Sequence, residues 1–260
     1  MKKTLQTLSL MLLGSFALAQ TPVPTTVVLV HGAFADGSSW NEVSKVLQKQ
    51  GVPVKVVANP LRGLTNDGEY VANVVRQIPG PVLLVGHSYG GPVITYAGTQ
   101  APNAKGLVFV ASFGLDQGQN ILESIQAFKP APLNAALQEA TFPNGAGTAG
   151  EFYVQQDKFH EVFAADVPQD ISDAMGASQR PVAGLAFGEK LSIEPAWKKL
   201  PSWFLITTQD NAINPDAQRD AAKRIHAQTV EIAASHAVAV SHPTEVAQLI
   251  LNALHSVNKE

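Results

Sequence analysis

"PVLLVGHSYGGPVITYAG", residues 81–98, sets a serine between glycines, directly after an apolar run and directly before a stretch with helical patterning. Gly86-His87-Ser88-Tyr89-Gly90 has the form G-x-S-x-G, and a place between strand and helix is the context in which that form carries chemistry. So sharp a turn forces its central residue into a strained backbone conformation, and side chains on the flanking positions would collide with neighbouring strands. The Ser88 hydroxyl then stands at the positive end of the following helix, where a developing anion is favoured. The bland alternative is a packing turn with an idle serine, and the other strand ends decide between the two.

Working outward, short apolar runs alternate with helical stretches. "TTVVLV" (25–30), "VPVKVVANP" (52–60), "PVLLVG" (81–86) and "AKGLVFVAS" (104–112) read as strands, each separated from the next by an amphipathic segment. From 113 to 195 the alternation lapses. Pro, Gly, Ala and Gln are frequent there, "LNAALQEA" and "QQDKFHEVFAADV" read as helical pieces, and no strand is expected. The alternation then resumes with "SWFLITTQD" (202–210), a helix "DAQRDAAKRIHA", "QTVEIAA" (228–234) and a closing helix "PTEVAQLILNALHSV". Strands this apolar, each followed by a helix, specify a parallel sheet covered on both faces. The fold class is therefore α/β, a doubly wound, mostly parallel six-stranded sheet with a small, mainly helical cap. Residues 25–112 form the first part of the core, 113–195 a cap or lid insertion, and 196–260 the second part of the core.

Composition narrows the function. The 260 residues are 45% hydrophobic and 15% charged, with a formal charge of −3 and no dense Lys/Arg cluster, so nothing suggests nucleic acid as a partner. With no cysteine, disulfides, thiolate metal sites and cysteine nucleophiles are excluded. Residues 1–19 read as a signal peptide: a basic "MKK", an apolar "LQTLSLMLLGSFAL" and small residues ahead of Gln20. The apolar core is too short and too interrupted to span a bilayer, so cleavage near Ala19/Gln20 and export, periplasmic or secreted, are expected without stable membrane insertion.

In doubly wound sheets the ligand crevice lies outside the carboxyl ends of the strands. A serine hydroxyl there needs a base, and the base needs an acid to fix its tautomer. Among the histidines, His236 follows the last strand by a few residues. His242, in "SHPTEV", fits a helix start with Ser241 as cap; His226 and His255 fall in helices. Asp210 directly follows the fifth strand, whereas Asp216 suits a helix terminus, Asp220 lies inside that helix, and Asp166 falls in the irregular segment. The choice is Ser88 as nucleophile, Asp210 as acid and His236 as base, each on a loop after a different strand. An oxyanion hole completes the set. One donor is the amide of Tyr89; the other comes from "LVHGAFADGSSW", where Gly32 frees the backbone and leaves the amide of Ala33, or else of Phe34, to point inward. His31 is expected to brace this loop.

The chain resembles the α/β-hydrolase superfamily, most closely the short-cored branch of hydroxynitrile lyases, methyl-ester esterases and bacterial esterase-like hydrolases. The carriers are "VLVHGAFADGSSW", "VLLVGHSYGG", "WFLITTQDNAINPDAQ" and "SHAVAVSHPTEVAQLIL", within a match over nearly all of residues 25–258. The resemblance implies a cap after the fourth strand, no metal and no organic cofactor, with Ser88, Asp210 and His236 as triad and the amides of Ala33 and Tyr89 as oxyanion donors. One departure is Gly32, which stands where the lyases carry a threonine and favours hydrolysis over cyanohydrin cleavage. The expected activity is hydrolysis of a small carboxylic ester through an acyl-enzyme, with a small-molecule ester as partner. Phe34, Phe113, Phe128, Phe159 and Phe163 could line its pocket or simply form the cap's own core. Two other uses of the same residues stay open: a receptor that binds ligand with little turnover, and a lyase or perhydrolase.

Overall fold

The four central strands of the core carry apolar residues on both faces, and both faces must be covered. In the computed structural model, which describes residues 23–259, they are; the expected signal peptide, residues 1–19, lies outside the described residues. The first half of the core runs β1 (Thr26–Val30), α1 (Asn41–Lys49), β2 (Val54–Val57), α2 (Leu64–Arg76), β3 (Val82–His87), α3 (Gly90–Gln100) and β4 (Ala104–Val110). The insertion carries α4 (Ile121–Ile125), β5 (Leu137–Asn144), β6 (Gly147–Val154), α5 (Phe159–Phe163), α6 (Gln169–Ser178), β7 (Val182–Ala183) and α7 (Leu185–Gly188). The chain then returns through β8 (Ser202–Thr207), α8 (Pro215–Arg224), β9 (Gln228–Ile232), α9 (Val238–Ser241) and α10 (Pro243–Val257).

The six core strands form one sheet in the order β2-β1-β3-β4-β8-β9, every pairing parallel. Successive residues alternate between its faces. Val28, Leu84, Phe109 and Phe204 join the core under α2, α3, α8 and the insertion, while Val27, Leu83, Val108 and Trp203 join the core under α1 and α10. The chain winds outward from β1 to β2 and then crosses back to β3, so the winding direction reverses between β1 and β3. That reversal opens a crevice at their carboxyl ends, where the loop after Val30 faces the turn at Ser88. Among the described residues no helix is long and apolar enough to cross a membrane.

Three local expectations need correction. The insertion holds, besides its short helices, a three-stranded sheet, β5-β6-β7, where no strand was expected, and the second half of "LNAALQEA" is the start of β5 rather than helix. The reason is exposure. β5 is mostly solvent-facing and contains Pro143, so it shows neither the apolar alternation nor the composition of a core strand. The legible signal was Gly145-Ala146, because a two-residue hairpin loop needs left-handed backbone and Gly145 supplies it at φ +60° in the first loop position. Second, His226 lies beyond the end of α8, in a turn at φ +52°. Third, Ser241 ends the short α9, and α10 starts behind His242 with Pro243 in its first turn and no side-chain cap.

One packing anchor of the core is Phe109, fully buried and stacked on Phe204 with ring centroids 5.8 Å apart. Phe109→Ala is expected to lower the unfolding free energy by about 3–5 kcal/mol, measured by urea denaturation, with the strand order unchanged.

Candidate active site

The turn after β3 has the strain that its sequence implies. Ser88 stands at φ +52°, left-handed backbone for a residue with a side chain. It is held there from both sides: its N–H donates to the Val110 carbonyl at 3.0 Å, and its own carbonyl accepts from Ser112 Oγ at 2.6 Å. The flanking glycines are needed for close approach. A β carbon on Gly86 would lie 2.4 Å from the Gly90 carbonyl oxygen, and one on Gly90 would lie 2.5 Å from the Val30 carbonyl oxygen. The first contact lets the helix start at once, and the second presses α3 onto the end of β1.

Asp210 and His236 meet at the ends of β8 and β9. His236 Nδ1 lies 2.8 Å from Asp210 Oδ2, with the ring 1% and the carboxylate 0% exposed. Four further donors reach the carboxylate: Thr207 Oγ1 at 2.7 Å and Gln218 Nε2 at 2.8 Å on Oδ2, and the amides of Ala212 at 2.7 Å and Ile213 at 2.8 Å on Oδ1. Burial pushes the Asp210 carboxyl up, but the adjacent His236 ring and these donors outweigh it and hold it below the ordinary range. A carboxylate that accepts at Nδ1 keeps that nitrogen protonated and leaves Nε2 as the basic end. Neither the Ser88 hydroxyl nor His236 Nε2 has a hydrogen-bond partner among the described residues, and neither is sealed from the surface.

The two other histidines nearby are braces. The Asn59 amide donates to His31 Nε2 at 3.0 Å, so Nδ1 carries the proton and donates to the Gly32 carbonyl at 2.9 Å. His87 Nε2 donates to the His236 carbonyl at 2.9 Å, and the two rings lie 4.7 Å apart. Burial first, and the neighbouring His236 second, push the His87 imidazole down to about 3. Burial likewise lowers the His31 imidazole.

Of the expected oxyanion donors, the amides of Ala33 and Tyr89 donate to no acceptor among the described residues. The Phe34 amide donates to the Arg180 carbonyl at 3.2 Å and is occupied. Position 32 has no room for a side chain: a β carbon there would lie 2.7 Å from the Ser88 β carbon.

The expected pocket phenylalanines do not come together. Phe34 lines a 410 Å³ groove between the loop after β1 and α6, shared with Ile171, Met175 and Val240. Phe113 and Phe128 line a separate 130 Å³ hollow beside Ala212 and Ile213. Phe159 and Phe163 are buried against each other at 4.9 Å, with the Phe163 ring packed edge-on to His236 at 4.8 Å. A roomier groove, 810 Å³, lies over the hairpin and Arg62, and none of the three is lined by Ser88, Asp210 or His236.

The sequence did not single out Thr207, Gln218 or His87, and it set Asp166 aside. Gln218 had left a trace, as a polar residue on the face of α8 that buries Ala217, Ala221 and Ala222. Asp166 lies beside the site after all. Its carboxylate accepts from the Ser235 amide at 3.0 Å and from the Ser235 hydroxyl, next to His236 in the chain.

Known proteins resemble this chain in sequence and in fold. Residues 27–249 match the model of the alpha/beta hydrolase family. A pyrethroid hydrolase of Sphingobium wenxiniae is 24% identical over 87% of this chain and 86% of its own. A carbendazim hydrolyzing esterase of Nocardioides is 29% identical over 42% of this chain and 50% of its own. The crystal structure of polyneuridine aldehyde esterase superposes with a TM-score of 0.76 at 20% identity, covering 88% of this chain and 99% of that one, and so shares the fold.

The histidine brace has a pH signature. An unfolded His87 takes up a proton near pH 6.5, whereas the folded residue refuses it down to about pH 3. Its contribution to stability is therefore complete above pH 6.5 and is lost on acidification through that window, at about 1.4 kcal/mol per pH unit. Asp210 acts in the same direction lower down, because its stabilisation is present above its unfolded value of 3.8 and lost as pH falls through its depressed folded value. The melting temperature is expected to fall steadily from pH 6.5 towards 4. His87→Gln, which can still donate to the His236 carbonyl, should flatten that slope in thermal melts followed by circular dichroism.

Proposed function

Because the chain belongs to the alpha/beta hydrolase family, we propose that it hydrolyses a small carboxylic ester through an acyl-enzyme formed on Ser88. The observation that carries the reading is the enclosed His236–Asp210 pair, 2.8 Å between Nδ1 and Oδ2, at the same end of the sheet as a serine held at φ +52°. The relatives named as a hydrolase and an esterase support the ester class.

Ser88 Oγ attacks the ester carbonyl while Nε2 of His236 takes its proton. Asp210 holds the imidazole by Nδ1 and stabilises the imidazolium without itself accepting the proton. The amides of Ala33 and Tyr89 receive the oxyanion, each donor contributing about 3 kcal/mol to the barrier difference. His236 then protonates the leaving alcohol, activates a water molecule on the acyl-enzyme, and returns to its starting state as the acid departs. His87, neutral throughout, adds no charge that would compete with the imidazolium. The glycine at position 32 supports hydrolysis over cyanohydrin cleavage. The reading extends to location: the basic start and the Ala17-Leu18-Ala19 site mark the chain for export, so the ester is met outside the cytoplasm.

Ser88→Ala and His236→Ala are each expected to lower kcat for a nitrophenyl ester by about a millionfold, and Asp210→Asn by about ten-thousandfold, with the circular dichroism spectrum unchanged. One equivalent of a serine-reactive organophosphonate should label the wild type and none the Ser88→Ala variant. Ester cleavage that survives Ser88→Ala at the wild-type rate rejects the assignment, and product analysis separates an acid plus an alcohol from a lyase or peracid product.

A further inference from the structure

We propose that Asp166, carried by the cap, is a positioning residue that sets His236 in place for catalysis; this rests on the reading of His236 as the base. The backbone around His236 is tied at three successive residues. Ser235 is tied by Asp166, whose Oδ2 accepts its amide at 3.0 Å while Oδ1 accepts its hydroxyl. His236 is tied through its carbonyl by His87 Nε2 at 2.9 Å. Ala237 is tied through its amide, which donates to the Phe163 carbonyl at 2.9 Å. Two of these three ties come from residues 163 and 166, in the insertion between β4 and β8.

The chemistry suits positioning. Asp210 fixes one end of the imidazole at Nδ1, but a ring held at one point can still swing its far end. The direction of Nε2 then depends on the backbone that carries the ring. Asp166 is the one side chain among the described residues that takes two hydrogen bonds from Ser235, and both are charge-assisted on the acceptor side, the stronger class. Its other side-chain neighbour is the His242 imidazole, with Nδ1 at 3.4 Å from Oδ2; no lysine or arginine among the described residues pairs with it. The carboxylate is therefore directed at the base loop rather than at holding the cap's surface together. Phe163 works from the same segment, its carbonyl on Ala237 and its ring edge-on to His236 at 4.8 Å. Seating the cap and aligning the base are thus one structural event.

The test compares Asp166→Ala, Asp166→Asn and Ser235→Ala in the full chain, with nitrophenyl ester kinetics, thermal melts and the low-field proton NMR signal of the His236–Asp210 hydrogen bond. Asp166→Ala is expected to lower kcat about ten- to a hundredfold, the scale of a misplacement near 1 Å, with KM little changed. Its low-field signal should broaden or shift. Asp166→Asn, which can still accept the Ser235 amide and donate to its hydroxyl oxygen, should restore most of both. Ser235→Ala keeps the carboxylate and loses one contact, so kcat should fall severalfold even if Asp166→Ala does not fold. Wild-type kcat and an unmoved low-field signal in Ser235→Ala, or in folded Asp166→Ala, overturn the proposal. Loss of activity only in proportion to the unfolded fraction overturns it as well. An inactive wild type would reject ester hydrolysis instead, and the NMR readout, which needs no substrate, would still decide the positioning role.

Discussion

A carboxylate shut away from water survives as an anion only where donors answer its lone pairs, because the desolvation penalty is several kcal/mol per ion. Asp210 meets that condition with five donors, which between them fix four different parts of the molecule. Thr207 is the last residue of β8, Ala212 and Ile213 shape the turn that follows, Gln218 belongs to α8, and His236 comes from the loop after β9. One ionised group thereby locks a strand end, a turn, a helix and the neighbouring loop into a single arrangement. Gln218 also accepts the Thr207 amide through Oε1 at 3.1 Å, so α8 is tied to the sheet by the same residue that supports the acid. Loss of any of these donors would leave part of a buried charge unanswered, a larger effect than the net worth of one hydrogen bond.

The second constraint is steric, and it works on the other side of the crevice. Helix α3 can begin directly behind Ser88 only because backbone meets backbone at Gly86 and Gly90 without β carbons between. Around this junction the protein uses imidazoles as neutral connectors. His31 and His87 each bond through the backbone of a site loop, and burial lowers the proton affinity of both. A protonated ring 4.7 Å from His236 would oppose formation of a second imidazolium, so an uncharged His87 is the form compatible with a working base.

The chain's own pattern made the core legible for one physical reason: strands buried on both faces must be apolar throughout, and such runs stand out. The strand-end loops could then be read for polar residues with no structural task, which led to Ser88, Asp210 and His236. The cap was harder. β5 is largely exposed and interrupted by Pro143, so its pairing is decided by β6 and by the Gly145-Ala146 turn rather than by hydrophobic periodicity. The supporting residues were hidden for a different reason. Gln218 and Asp166 lie 8 and 69 residues from their partners Asp210 and Ser235, and only the tertiary fold brings them together. The grouping of five phenylalanines failed because hydrophobicity predicts burial without saying whether a ring faces a cavity or another ring.

That failure separates two problems that the molecule solves in different places. The groups proposed to react sit where water is scarce, with Ser88 7%, Asp210 5% and His236 1% exposed, and such an environment strengthens charge interactions among them. The roomy surfaces are elsewhere, notably the 410 Å³ groove between the loop after β1 and α6. Phe34 of that groove is the next residue after Ala33, and Val240 follows His236 by four, so the groove borders both the loop after β1 and the loop that carries His236 without being lined by Ser88, Asp210 or His236. Its far wall, Ile171, Ala174 and Met175, is supplied entirely by the cap. In the proposed reaction, bond cleavage belongs to the sheet's strand ends, and discrimination among esters would then depend on how the cap faces the β1 loop. Two chains with the same strand-end residues and different caps would share a reaction and differ in substrate.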